Sequence, residues 1–289
     1  MVRSSRHVVA RVSAVERRSF ANGARVSVLG FGCGRVGSIN NTVPMREIEA
    51  TLRAAVEHGI DLFDTADIYA QGDSERTLSR LLAQYRDRMF VVTKVGGCHS
   101  RFAGPIRLAK PVLRMLVRSR TQLRDAVVKA RAATVSYHFQ PRDLRLAVDR
   151  SRRRLRVDRL DGLLLHSPSL ETLNDHDFLA ELLVSGQAAH VGASVKTLPE
   201  VEAAVAIPSI TMLQVPLPVA RSLTGTEIVE RIRQRDIGVF VREILESVRL
   251  GTTPPQEAVS AAIAPDFITA AIIGVSTRQH LSEAVAAVS

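Results

Sequence analysis

HGIDLFDTADIYAQGDSERTLSRLLA, residues 58–83, holds one complete structural unit. Ile60–Phe63 is a short apolar run of strand length, and a polar cluster follows it. From Ser74 to Gln84 apolar residues return at the spacing of an amphipathic helix. A strand that feeds a helix through a polar turn is the βα unit of parallel-sheet proteins. Outward from this stretch the alternation repeats along the chain. Strands are predicted at Ser27–Gly32, Ile60–Phe63, Phe90–Lys94, Leu160–Leu165, Ala189–Ala193, Thr211–Val215, Gly238–Val241 and Ala271–Gly274. Helices are predicted at Met45–His58, Ser74–Gln84, Arg142–Leu155, Asp175–Val184, Pro199–Ala206, Thr226–Arg235, Pro255–Ala264 and Arg278–Val288. Pro44 and Pro199 stand where helices begin, and Gly59 and Gly186 just past helix ends, where a left-handed residue is wanted. Eight such units with right-handed crossovers imply an α/β fold closed as a (β/α)8 TIM barrel, not an open sheet.

The 289 residues suit one such barrel, so a single domain over residues 1–289 is expected. Two stretches lie outside the repeat. Residues 1–26 alternate apolar positions around Asn22-Gly23 and read as an N-terminal hairpin plugging the barrel floor. Residues 97–140 form a long insertion after the third strand, on the face where barrels build their active sites. Two distant cysteines, Cys33 and Cys98, point to a reducing compartment and rule against a disulfide framework. No signal-peptide core and no run of membrane-spanning length is present, so a cytoplasmic location is expected. The formal net charge is +10, much of it in Arg101–Arg131, where nine basic residues meet one acid, and in Arg142–Arg156. No helix-turn-helix, zinc ligand set or aromatic-basic interleaving accompanies that charge. Solvated helix faces therefore account for it better than nucleic-acid binding. Neither a metal nor a nucleic acid is expected as partner, and no signal fixes an oligomeric state.

In a barrel, chemistry comes from polar residues at strand ends, and four stand out. Asp64 follows the second strand, Tyr69 comes five residues later, Lys94 closes the third strand and His166 closes the fourth. Each alone reads equally as a helix cap, a packing ring, a surface lysine or a structural histidine. Together at one mouth they suit proton transfer to a carbonyl oxygen. A tyrosine titrates near ~10, too high for ready exchange at neutral pH, and a neighbouring ammonium is expected to lower it. An Asp paired with that lysine would hold it charged, while a neutral His would orient the carbonyl.

Here the chain resembles the aldo-keto reductase family. The likeness is carried by VLGFGCGRVG (28–37), residues 58–83 above, FVVTKVG (90–96), LDGLLLHSPS (160–169), LLVSGQAAHVGAS (182–194), LQVP (213–216) and IIGVSTRQHLSEAVAAV (272–288). The stretch YHFQPRDLRLAVDRSRRRLRVDRLDGLLLHSP is similar to the bacterial branch of sugar and galactose-type dehydrogenases. The resemblance implies hydride transfer between NADPH and a carbonyl or alcohol carbon of a small polar or sugar-like metabolite. It implies Tyr69 as general acid, Lys94 and Asp64 as its tuning partners, and His166 as the substrate-orienting residue. Ser194 and Gln214 match the positions that hold the nicotinamide carboxamide, with Gly32 and Cys33 beside them. The segments after Val241 and Gly274, with Arg242, Ser276 and Arg278, correspond to those that bind the pyrophosphate and adenosine phosphate.

Departures from the family pattern cluster on the cofactor. Val195 stands where an Asn is usual, Val215-Pro216-Leu217-Pro218 offers no ring for stacking, and His280 and Ala284 replace a Gln and an Asn. At about 1 kcal/mol for each lost bond or stack, a micromolar site would become millimolar. Three readings follow: a reductase with a variant cofactor pocket, a non-redox acid–base enzyme on the same barrel, or a non-catalytic binding barrel. The basic insertion reads either as an amphipathic lid, with Leu108, Val112, Met115 and Leu116 on one side and arginines drawing an acidic or phosphorylated substrate, or as a solvated loop. His58 and His190 read as structural, His99 and His138 as flanking the insertion within reach of substrate, and Cys33 as a thiol with no activating neighbour.

Overall fold

The computed structural model describes residues 15–38, 41–99, 135–174, 177–245, 248 and 251–288. A hairpin, β1 Arg17–Phe20 and β2 Ala24–Ser27, opens the described chain. Eight parallel strands then close into a barrel in chain order: β3 Leu29–Gly32, β4 Leu62–Asp64, β5 Phe90–Val95, β8 Leu160–His166, β9 Ala188–Ser194, β10 Met212–Pro216, β11 Gly238–Arg242 and β12 Ala270–Ile273. The ring is completed by β12 pairing with β3, Ala271 opposite Leu29. Between β5 and β8 a second antiparallel pair stands apart, β6 Gly97–His99 with β7 Val135–Tyr137.

Helices follow the strands because their apolar residues recur on one face. In α3, Pro141–Leu155, the buried residues Leu144, Val148, Ser151 and Leu155 fall on one stripe, while Arg142, Arg145, Arg150 and Arg153 are exposed. This solvated face is the origin of part of the net charge. The same logic holds for α1, Met45–Glu57, and α2, Asp73–Tyr85, with Gly59 left-handed just beyond the first. The outer layer of the core lies between helices and barrel, and a second cluster, including Leu62, Val92, Leu164, Met212 and Phe240, fills the barrel itself.

The hairpin closes the floor. Asn22 and Gly23 both take positive φ, 59° and 76°, which lets the strands reverse over the short turn at Ala21-Asn22-Gly23. Phe20 then stands inside the barrel base, 5.5 Å from Phe240 and 5.9 Å from Phe90, both edge-on, with His190 at 5.0 Å. A side chain on Gly238 would collide with the Phe20 ring at 2.7 Å, so the strand runs close only because that residue is glycine. Arg18 anchors the plug by donating to the carbonyls of Ile263 and Ile268.

Several expected boundaries move. The helix expected over Asp175–Val184 is seen as α5 Asp177–Val184, and an unexpected short helix, α4 Leu170–Asn174, precedes it. Pro216-Leu217-Pro218 is not a loop: after α6, Leu198–Ala206, and β10 it opens an unexpected helix, α7 Leu217–Leu223, because proline suits a first turn. The chain continues through α8 Glu227–Gln234, α9 Pro255–Ile263 and α10 Arg278–Val285. The expected lid helix, with Leu108, Val112, Met115 and Leu116, lies outside the described residues, as do residues 1–14 of the hairpin segment. No helix among the described residues is long and apolar enough to cross a membrane.

If Phe20 is the plug, Phe20→Ala removes a fully enclosed ring and leaves a cavity at the barrel floor. The variant should lose about 3–5 kcal/mol of unfolding free energy in a urea titration. A loss below about 1 kcal/mol would show that the floor is closed by something else.

Candidate active site

The residues singled out at the strand ends meet at the C-terminal mouth. Asp64 is the last residue of β4 and His166 the last of β8; Lys94 lies one residue inside the end of β5, with Val95 after it. The Lys94 ammonium donates to Asp64 Oδ1 at 2.6 Å, to the Thr65 carbonyl at 3.0 Å and to Tyr69 Oη at 3.2 Å. An ammonium has three N–H donors and no acceptor, so these contacts use all of them. Tyr69 Oη accepts from Lys94, which leaves the phenolic proton free to point elsewhere. Asp64 Oδ1 also accepts from Gln214 Nε2 at 2.7 Å, and Ser194 Oγ donates to Gln214 Oε1 at 2.8 Å. A single chain of hydrogen bonds thus runs from β9 through β10 and β4 to β5 and Tyr69.

The loop that presents Tyr69 is strained. Ala70, Gln71 and Gly72 all have left-handed backbone, φ 51°, 61° and 80°. Gly72 has no room for a side chain, since a Cβ there would meet the Arg154 side chain at 2.6 Å. That arginine comes from α3 and pairs with Glu75, which is fully buried and also accepts from Thr93 Oγ1 at 2.7 Å. At the other side of the loop Ser74 Oγ donates to the Cys33 carbonyl and meets Thr65 Oγ1 at 2.8 Å. Asp67, on the same loop, is held well above the usual carboxylate range by burial and by the nearby Glu75.

Burial decides the electrostatics. It pushes the Tyr69 phenol above its ordinary value, and the opposing pull of Lys94 does not win. Lys94 does lower this phenol, by charge and by hydrogen bond, as expected, but burial outweighs it and Asp64 adds to the rise, so the net direction is up. Burial alone would lower Lys94 too, but Asp64 and Tyr69, by charge and hydrogen bond, raise it above an ordinary lysine. His166 is driven down to about 3, first by burial, then by the charges of Lys94, Arg242 and Lys196. The Cys33 thiol is raised by burial and is no thiolate.

Above these groups opens a cavity of about 750 Å³, within the usual range of roughly 300–1,000 Å³ for ligand sites. Asp64, Tyr69 and His166 line it, together with Gly32, Ser194, Gln214, Arg242 and Gly274 of the expected cofactor set. Lys94 sits buried beneath Tyr69. Cys33 and Val241 are buried behind the wall, and Ser276, which accepts from Asn41 Nδ2, and Arg278 stand outside it. Of the four departures, Val195 and Leu217 are buried away from the cavity, whereas His280 and Ala284 line it. His138 bonds Ser136 in the open instead of facing the cavity; the His99 side chain lies outside the described residues. His190 belongs to the floor cluster. Sequence reasoning missed Arg35, Tyr137, Lys196 and Glu243, all on the cavity wall. Only Arg242-Glu243 had a signal, a charged pair at a strand end, and these two form an ion pair with Glu243 in left-handed backbone.

The family model for the Aldo/keto reductase family matches residues 28–253. The chain is 30% identical over 164 residues to D-threo-aldose 1-dehydrogenase from a Pseudomonas species, a stretch covering 56% of this chain and 46% of that enzyme. The chain thus spans under half the length of that curated relative. Among solved structures, an aldo-keto reductase from Bacillus halodurans in its holo form superposes with a TM-score of 0.72 at 19% identity, covering 95% of this chain and 91% of that one. An aldo/keto reductase from Klebsiella pneumoniae, in complex with NADP and acetate, superposes at 0.64 and 20% identity, covering 95% and 90%. At such identities the structural likeness speaks of the fold.

A buried neutral imidazole has a measurable signature. The unfolded chain takes up the His166 proton near pH 6.5 and the folded chain near 3. Stability from this group is therefore full above pH 6.5 and lost as pH falls toward 3, because the unfolded state binds the extra proton first. In an NMR titration the His166 ring signals should stay fixed from pH 8 to 5; a midpoint near 6.5 would overturn the enclosed geometry.

Proposed function

The chain belongs to the aldo/keto reductase family, and on that premise we propose that it is a cytoplasmic NADP(H)-dependent oxidoreductase. It reduces a carbonyl, or oxidises the matching alcohol, on a small polar or sugar-like metabolite. The observation that carries this reading is the Asp64–Lys94–Tyr69 chain opening beside His166 into the cavity.

The wall residues fit a dinucleotide. Ser194 and Gln214 offer a hydroxyl and an amide for a carboxamide, and Arg242 is a cation for a pyrophosphate, with its Nε buried and without a partner among the described residues. Arg35 and Lys196 add positive charge to the same wall. NADPH, when bound, would supply the hydride. The protein's part is the proton. Tyr69, kept protonated by burial, donates its phenolic proton to the substrate oxygen as negative charge develops there. Lys94 holds Tyr69 Oη from behind and stabilises the phenolate left by that transfer. Asp64 keeps Lys94 in place. His166 has a buried Nδ1 without a partner among the described residues. An unpaired buried acceptor is tolerated better than an unpaired N–H, which assigns the proton to Nε2 as a donor toward the carbonyl. Aldose-type substrates are supported by the printed name of the 30% identical relative.

A second reading is favoured by one observation. His280 and Ala284 line the end of the cavity where an adenosine group would lie, and Glu283 stands with them. A barrel with that end weakened would run non-redox acid–base chemistry with the same Tyr69.

Two measurements decide between these. NADPH titrated into the purified chain should bind at micromolar concentration, read from its fluorescence; no binding at millimolar cofactor would leave the second reading in possession. Tyr69→Phe should lower kcat at least ~100-fold while cofactor affinity stays within about twofold. A variant that keeps its rate would remove Tyr69 as the acid.

A further inference from the structure

Tyr137 has a setting that the proton-transfer chemistry does not use. It lines the cavity, 41% exposed, between the reacting groups and the barrel mouth. One face lies parallel to Phe139, with centroids 6.3 Å apart and planes 4° from parallel. Toward the floor of the cavity its ring meets His166 edge to face at 5.9 Å, and His166 meets Tyr69 in the same manner at 5.9 Å. Three rings therefore stand in a row, each set by the next.

The placement of Tyr137 is fixed by the backbone on both sides. Its strand pairs with β6, Tyr137 opposite Gly97, and the amide of His138 donates to the Gly96 carbonyl at 2.8 Å. Phe139 is seated directly on Gly96, at φ 107°, where a Cβ would come within 2.4 Å of the ring. Gly97 receives Ile68, whose side chain would lie 2.7 Å from a Cβ at that position. Ile68 immediately precedes Tyr69, so the pair β6–β7 is docked against the loop that carries the acid. An aromatic ring this exposed, parallel to Phe139 and held on a strand docked beside Tyr69, is suited to take the C–H face of a ring-shaped ligand. Otherwise the wall is charged or polar at this end, with Arg35, Ser167 and Lys196.

We propose that Tyr137 is a specificity-determining residue, a stacking wall for the ring of a cyclic sugar-like substrate whose reacting carbon faces Tyr69 and His166. This rests on the reductase reading above and adds the part of the substrate that the cavity recognises. A stack of this kind corresponds to about tenfold in affinity.

The test compares the wild type with Tyr137→Ala, Tyr137→Leu and Tyr137→Phe on galactose, whose pyranose hemiacetal is oxidised by NADP+ to the lactone, and on glyceraldehyde, whose acyclic aldehyde is reduced by NADPH. The ratio of kcat/KM for galactose to that for glyceraldehyde should fall about tenfold in the Ala and Leu variants, with the loss in KM, and return in the Phe variant. Tyr137→Leu keeps bulk without a ring and so separates stacking from packing. An unchanged ratio in Ala and Leu, or an equal loss on both substrates, would overturn the proposal and leave the reductase reading standing. If neither the wild type nor any variant turns over either substrate, calorimetric binding of galactose decides. Binding by wild type and Tyr137→Phe but not by Tyr137→Ala supports the stack while the reductase reading fails. Equal binding by all, or by none, overturns the stack as well.

Discussion

The arrangement of the mouth depends on the buried ion pair of Lys94 and Asp64. Both are almost fully enclosed, 1% and 8% exposed at the side chain, and taking two charges out of water is costly. The pair persists because further hydrogen bonds surround it. Lys94 has all three donors placed, and the Asp64 oxygen that it touches also receives Gln214. Removing either partner would strand the other charge in the interior, an effect of about 3–5 kcal/mol. The pair therefore fixes β4 against β5, draws in β10 from across the barrel, and gives the Tyr69 hydroxyl a defined hydrogen bond. Stability and chemistry share the same atoms.

The strained loop after β4 follows from that constraint. Tyr69 must bring its hydroxyl back over Lys94, only five residues beyond Asp64, and then feed α2 within four more. Three successive left-handed residues make so tight a reversal, each non-glycine one at a cost of order 1–3 kcal/mol. The compensation is beneath it: Glu75, Thr93 and Arg154 join α2, β5 and α3 below the loop, and Ser74 and Thr65 tie it to the end of β3. Neighbouring helices hold the turn in a shape that it would not keep alone.

Much of this was legible in the chain. The eight strands appear where short apolar runs stand, within two residues at most ends, because burial on both faces forces a continuous run. The four polar residues were legible because barrel geometry sends strand ends to one mouth. What was not legible depends on distance instead of order. Pro216 and Pro218 look like loop punctuation until the helix they initiate is seen. The direction of the Tyr69 shift could not be read from a nearby lysine, since enclosure outweighs the charge and only three dimensions reveal enclosure. Tyr137 carried no signal at all: it lies in a basic insertion and becomes a wall residue only when β7 pairs with β6. Of the departures from the family pattern, Val195 and Leu217 are buried and do not line the cavity, whereas His280 and Ala284 do.

The two groups proposed to face a reacting oxygen, Tyr69 and His166, are both uncharged at physiological pH. Tyr69 is protonated because burial raises it, and His166 is unprotonated as a cation because burial lowers it. Desolvation thus acts in opposite directions on an acid and a base and leaves each in its uncharged form. Positive charge stands behind the phenol, on Lys94, and on the cavity wall, on Arg242, Arg35 and Lys196. Such a site offers little to a neutral carbonyl at rest and gains as negative charge grows on its oxygen, since the donors are then backed by fixed cations in a low-dielectric setting. A protonated imidazole would have bound an anion in the ground state instead. Keeping His166 neutral would direct the field of the site toward the transition state, and enclosure contributes most to it, with the charges of Lys94, Arg242 and Lys196 acting in the same direction.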